Sequence, residues 1–162
     1  MCFYCGCREV PLIREFIGEH EAAADLAADL GQALRAGEVA ESGRLLGRLA
    51  ELLAAHWRGE EDGLFSAMHG EEVYAGYIDD LVAEHRELGE LLARADVRRR
   101  ADRERVLAGI ERLHRHIVKE EDGLFPASLT ALSGEQWDLA FAAWRRAHPD
   151  APLPAFPEPA TP

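Results

Sequence analysis

Strand formers, positive charge and long apolar runs are all in short supply in this chain. Aromatic residues make up 7% of its 162 positions, and Val, Ile and Thr are sparse beside Ala, Leu, Glu and Arg. Side chains that suit a pleated surface are therefore few and good helix formers are many, which excludes an extensive sheet. Basic residues number 18 against 30 acidic ones, for a net charge of −12. Such a chain repels phosphate backbones and anionic headgroups, so neither nucleic acid nor a membrane surface is an expected partner. No apolar run approaches the ~20 residues that cross a bilayer. No basic region leads into an apolar core at the start, so no secretory signal is read there. The three cysteines, Cys2, Cys5 and Cys7, are too few and too crowded for a disulfide framework. They fit a reducing compartment, and a cytoplasmic location is the expectation.

What the chain does have is helical periodicity. Ile13, Phe16 and Ile17, followed by Leu26, Leu30 and Leu34, keep the spacing of a buried stripe and predict a helix over 9–35. Gly37 marks a turn, and Leu45, Leu46, Leu49, Leu52 and Leu53 carry a second helix over 38–68. Gly70 precedes a third over 71–95, and a fourth follows the Arg98–Arg100 stretch over 101–132, with Pro126 expected to bend or end it. Ser133 and Gln136 have the spacing of a capping box opening a short fifth helix to about Ala147, which should bury Trp137, Phe141 and Trp144. Six prolines then interrupt residues 149–162, predicting an extended or disordered tail. The expected organisation is all-α. It has a Cys-rich segment over 1–8, an up-down-up-down four-helix bundle over 9–132, a short helix over 133–148 and a Pro-rich tail.

The segment from His56 to Phe65 (HWRGEEDGLF) returns almost letter for letter from His116 to Phe125 (HIVKEEDGLF). Each copy sets a His four residues before a Glu, so on a helix His56 faces the same way as Glu60, and His116 as Glu120. His20 and His85 each follow a Glu on the other two long helices, so 9–68 and 71–130 read as a duplicated hairpin. Measured from one end of the bundle, the four His lie at one depth, roughly 15–20 Å in at the helical rise. Single His–Glu pairs are ordinary helix-surface contacts, but four matched depths are not what a random scatter gives. Imidazole suits iron, and carboxylates can bridge two cations. The pattern predicts one iron on His20 and His56, a second on His85 and His116, and Glu60 and Glu120 between them. Glu61 and Glu121, five residues from the His, should turn away to the solvated face or an outer shell. His114, two residues from His116, should face solvent, His148 carries no signal, and Leu64, Phe65, Leu124 and Phe125 are expected core.

The order His20, His56-x-x-x-Glu60, His85, His116-x-x-x-Glu120, with Glu-Glu-x-Gly-Leu-Phe-Pro after the last pair, resembles the hemerythrin-like, or HHE cation-binding, domain over residues 10–130. The resemblance implies a four-helix bundle around a di-iron centre, oxo- or hydroxo-bridged in some states. It also implies functions among dioxygen binding, peroxide decomposition, nitric oxide response and iron sensing. Oxygen carriers of that family have a second His one turn from the third-helix ligand and an Asp five residues after the last His. Here Gly89 and Leu81 flank His85 at one turn, and Glu120 follows His116 by four. Four His leave both irons more open, which favours reaction with hydrogen peroxide or a related oxidant over reversible oxygen carriage. The expected activity is catalase-like, and the alternatives are an oxygen, nitric oxide or iron sensor, or iron storage. Small molecules (O2, H2O2, NO) are the expected partners, and no protein partner is specified.

Three thiols within six residues could also hold a soft cation. Tetrahedral zinc needs a fourth ligand. His69, in the turn expected at the same end of the bundle, completes a candidate Cys2/Cys5/Cys7/His69 zinc site. The alternative is a reduced segment without metal.

Overall fold

A computed structural model of the chain describes residues 7–151, with the side chain of Cys7 excepted. A 3-10 turn, Cys7–Glu9, leads into α1 (Pro11–Ala36). Pro11 opens that helix where its missing N–H costs nothing. Helix α1 closes on Gly37 at φ 75°, whose N–H donates to Leu34 O while Glu38 N–H donates to Ala33 O. This is the paired closure that a left-handed residue permits, and glycine takes that conformation at no steric cost. Helix α2 (Val39–Gly59) runs back, passes through a π turn (Glu60–Phe65) and ends in the short α3 (Ser66–His69). Helix α4 (Glu72–Arg94) and α5 (Arg100–Lys119) repeat the plan, followed by a second π turn (Glu120–Leu124) and α6 (Phe125–Ala131). The capping box at Ser133 and Gln136 forms as the spacing predicts and starts α7 (Gly134–Ala147).

Helices α1, α2, α4 and α5 touch in a closed ring, α1 against α2, α2 against α4, α4 against α5 and α5 against α1. The predicted up-down-up-down bundle is therefore present, and no strand occurs among the described residues. No helix among them is long and apolar enough to cross a membrane.

Two apolar cores stack along the bundle axis. One gathers Leu30, Leu49, Leu53, Leu88, Leu91 and Leu113. The other gathers Ile13, Phe16, Phe65, Leu81, Leu124 and Phe125. On each long helix a single buried His lies at the boundary between them: His20, His56, His85 and His116. A polar layer is thus held between two hydrocarbon plugs, and each plug excludes water from it.

The π turns correct the reading of the second helix as uninterrupted and of the fourth as bent or ended by Pro126. A π turn bonds i to i+5 and widens the helix locally. Pro126 does not cause it, because the first copy has the same turn with Ser66 at the matching place. Close packing is the shared feature. A Cβ on Gly63 would lie 2.8 Å from Ala140 O and 3.2 Å from Ala143 Cβ, both on α7. Gly63→Ala must therefore push α7 outward, and a loss of about 1–3 kcal/mol is expected from overpacking. Urea unfolding of the metal-free chain measures it, and unchanged stability would disprove the close fit. Helix α7 buries Trp144, Ala140 and Ala143 against the bundle. Trp137 and Phe141, expected to be buried with them, are only half-buried.

Candidate metal centre

The six predicted residues come together. His20, His56, Glu60, His85, His116 and Glu120 are each at most 2% exposed. Their inward atoms crowd one small space. His20 Nε2 lies 3.1 Å from Glu120 Oε2, and His56 Nε2 lies 3.3 Å from Glu60 Oε2. His116 Nε2 lies 3.0 Å from Glu120 Oε1, and His85 Nε2 is 3.6 Å from both Glu60 Oε2 and Glu120 Oε1. The ring nitrogens His85 Nε2 and His116 Nε2 are 2.8 Å apart. Two groups form that could hold a cation, His20/His56/Glu60/Glu120 and His85/His116/Glu120, with donor atoms within 4.8 Å of one another. The division matches the predicted pairing of imidazoles, and Glu120 belongs to both groups.

Proximity here is not hydrogen bonding. His20 Nε2, His56 Nε2 and all four carboxylate oxygens of Glu60 and Glu120 are buried without an aligned hydrogen-bond partner. Buried polar atoms are nearly always paired, and each orphan costs about 1–3 kcal/mol. Six converging orphans of donor types that suit a transition-metal cation describe a cation cradle. The residues present fit the di-iron expectation on this ground.

The outward ring nitrogens, by contrast, all have partners. His56 Nδ1 donates to Glu19 Oε2 at 2.6 Å and His116 Nδ1 to Glu84 Oε2 at 2.9 Å. His85 Nδ1 donates to Glu61 Oε1 at 2.8 Å and His20 Nδ1 to Glu121 Oε1 at 3.2 Å. A carboxylate on Nδ1–H fixes the tautomer that leaves the Nε2 lone pair facing inward. The duplication is visible in the pairing: Glu19 and Glu84 reach the next helix, and Glu61 and Glu121 serve a His of the other hairpin. Glu61 and Glu121 therefore take the outer-shell place, one of the two expected for them. They reach His85 and His20 from the two π turns. Glu19 and Glu84 were missed by sequence reasoning, although each is the Glu noted directly before a ligand-type His.

Charge in the cradle is finely divided. Burial works against an imidazolium at His20, but Glu120 and Glu121 outweigh it and push its pKa up to about 9. His56 moves the other way, down to about 4, because burial dominates the Glu19 contact. Burial, then the Glu120 charge, raises Glu60 well above the carboxylate range. Glu120 is also buried, yet His116, His20 and His85 hold it well below that range.

Aromatic rings wall the layer. Phe125 stacks on His20 at 5.8 Å, Phe65 on His85 at 5.3 Å and Trp57 on His85 at 4.9 Å, and Phe16 meets His56 edge-on at 5.7 Å. A Cβ on Gly89, one turn past His85, would lie 3.4 Å from Trp57 Cζ3. Outside that ring, a groove of about 610 Å³ between α2 and α4 reaches Glu61 and His85.

The second predicted site is not described. Cys2, Cys5 and the side chain of Cys7 lie outside the described residues. His69 is exposed, with Nε2 3.2 Å from Asp79 Oδ1. His114 is exposed as expected, but His148 is not idle: its Nε2 is 3.3 Å from Glu19 Oε1.

Comparison with known proteins gives one family match. The model described as "Hemerythrin HHE cation binding domain" matches residues 12–128. No curated protein and no solved structure matches the chain.

Proposed function

The chain belongs to the hemerythrin HHE cation-binding domain family, and from that premise we propose a non-haem di-iron protein that consumes hydrogen peroxide or a related small oxidant. The observation that supports this reading best is the set of inward Nε2 and carboxylate oxygens without aligned partners, sealed between two apolar cores. His20 and His56 would hold one cation and His85 and His116 the other, with Glu60 and Glu120 bridging. Bound iron supplies the change of oxidation state by which one peroxide is reduced to water while a second is oxidised to dioxygen, the two halves exchanging two electrons and two protons.

The protein's own residues determine what can reach that chemistry. His20, His56, Glu60 and Glu120 would offer one cation four donors, and His85, His116 and Glu120 would offer the other three with Glu60 nearby, which would leave room for a small molecule to bind. The carboxylates on each Nδ1 hold the imidazole rings aligned, which preserves geometry as the cation charge changes. The rings of Phe16, Phe65 and Phe125 pack on His56, His85 and His20 and shield the layer from bulk water. No side chain is assigned as a separate acid or base: the Tyr77 hydroxyl is committed to Lys119 O at 2.8 Å.

Elemental analysis with an absorption spectrum, before and after peroxide, tests the reading. Two iron ions per chain and dioxygen release on adding peroxide are expected. A protein purified without stoichiometric metal sinks the cation reading. A reversible spectral change under oxygen or nitric oxide, without consumption of peroxide, would replace it with a binding or sensing role.

A further inference from the structure

Helix α7 lies beyond the residues that the family model matches, yet it reaches the candidate centre. Trp144 is 1% exposed, and its indole Nε1–H donates to Glu19 Oε1 at 2.8 Å. The other oxygen of the same carboxylate, Oε2, accepts from His56 Nδ1 at 2.6 Å. The two donors therefore do not compete, and the carboxylate is held at both ends. His148, just past α7, stacks on Trp144 at 4.8 Å and sets its Nε2 3.3 Å from Glu19 Oε1. We infer that Trp144 is a positioning residue of the metal centre, whose indole N–H holds Glu19 in the orientation that aims His56 Nε2 at its cation. The inference rests on the metal reading above.

Comparison among the four orienting carboxylates supports it. Glu84, which serves His116, is engaged on its second oxygen by Lys119 Nζ. Glu121, which serves His20, is engaged by Arg8 Nη2 at 2.8 Å. Glu19 takes a neutral donor instead, on a helix that the first hairpin's counterpart lacks. The duplicated halves thus differ most at His56 and His116, the related imidazoles of the two cation positions. A cation on Glu84 drains charge from its bond to His116, whereas an indole leaves more of it on Glu19. The geometry also explains why α7 must sit close: Gly63 lets Ala140 approach, and Gly59 lets Trp144 approach, its Cδ1 lying 3.2 Å from where a Cβ on Gly59 would stand. An indole N–H is a donor only, so with Glu19 removed it would be buried unmet.

Cobalt(II) titration of the full chain, followed by visible absorption and by competition with a chelator, tests the inference. Trp144→Phe keeps a packed ring and removes the N–H, and Glu19→Gln removes the carboxylate. Trp144→Phe is expected to weaken one of two binding steps by about tenfold, at the low end of what outer partners of metal-ligating His contribute, and to shift that step's absorption band. In the Glu19→Gln background the same change should add nothing, because the indole acts through that carboxylate. Equal weakening of both steps, unchanged affinity and spectrum, or an undiminished effect in the Glu19→Gln background overturns the inference. A wild-type chain that takes up no cobalt overturns the metal reading itself. Should Trp144→Phe fail to fold, the unaltered protein decides the matter. Its ¹⁵N-labelled Trp144 indole signal should move on adding zinc(II) while that of Trp137 stays, and a stationary Trp144 signal refutes the coupling.

Discussion

Glu60→Gln and Glu120→Gln will both lower metal content, and in the metal-free chain they will change stability in opposite directions. The two carboxylates are equally buried and share one cradle, but their charges face different surroundings. Glu120 has oxygens near His20, His85 and His116, and these hold it ionised, well below the usual carboxylate range, against the effect of burial. Glu60 is raised, first by burial and then by Glu120 itself. Removing Glu120 leaves a buried imidazolium without its counter-charge, a change that costs about 3–5 kcal/mol. Removing Glu60 relieves the cost of taking up a proton, or of burying a charge, at that position on folding. A gain of about 1–3 kcal/mol is expected, in the range seen when buried charge is replaced by neutral groups. For a chain of this length 1 kcal/mol moves the thermal midpoint by about 2–4 °C. Calorimetry of chelator-treated variants should therefore place Glu60→Gln above the unaltered protein and Glu120→Gln about 10 °C below it. Metal content completes the argument. Glu120 belongs to both cation groups and Glu60 to one, so Glu120→Gln should lose both ions and Glu60→Gln should weaken chiefly one. Two variants shifted the same way, or an unimpaired Glu120→Gln, would contradict the shared-bridge arrangement.

The ligand set could be read from sequence because its determinants are local. A four-residue step on a helix fixes relative direction, and two identical steps in repeated decamers fix relative depth. The long helices were legible for the same reason: apolar positions keep helical spacing from Ile13 to Leu34 and again from Leu45 to Leu53, and Gly37 and Gly70 stand where helices end. The π turns were not legible. Glu-Glu-Asp-Gly-Leu-Phe has good helix formers on both sides of one glycine, and nothing in it announces i→i+5 bonding. In the first copy the turn packs against residues far along the chain, Ala140 against Gly63, and close approach of distant backbones has no local signature. Which imidazoles Glu61 and Glu121 serve, across in the other hairpin, has none either. Glu19 and Glu84 left a cue in the Glu-His pairs at 19–20 and 84–85. The cue shows only that an acid sits beside an imidazole, not that it crosses to the next helix. Trp144, 125 positions from the carboxylate it holds, left none.

Across pH 6.5 to 9 the metal-free protein should lose stability while its affinity for a cation grows. The folded chain raises the His20 pKa to about 9, despite burial, through Glu120 and Glu121, against about 6.5 in an unfolded chain. A group bound more tightly to its proton when folded stabilises fully below its unfolded pKa, and that contribution is lost as pH rises through the folded one. The shift corresponds to about 3 kcal/mol at most, and His116, raised in spite of burial by Glu120 and Glu84, acts in the same sense. His56, lowered to about 4 chiefly by burial, is neutral when folded but about half-protonated when unfolded at pH 6.5, so it opposes the slope at the low end of this window and fades above it. A cation needs the lone pair that the proton occupies, so binding near pH 7.5 must expel about one proton from His20, and the binding constant should rise about tenfold per pH unit. Urea unfolding at several pH values tests the first half. Calorimetric titration with zinc(II) in two buffers of different ionisation enthalpy counts the protons released. Binding without proton release would mean that His20 does not face the cation, and the pairing of His20 with His56 would fall with it.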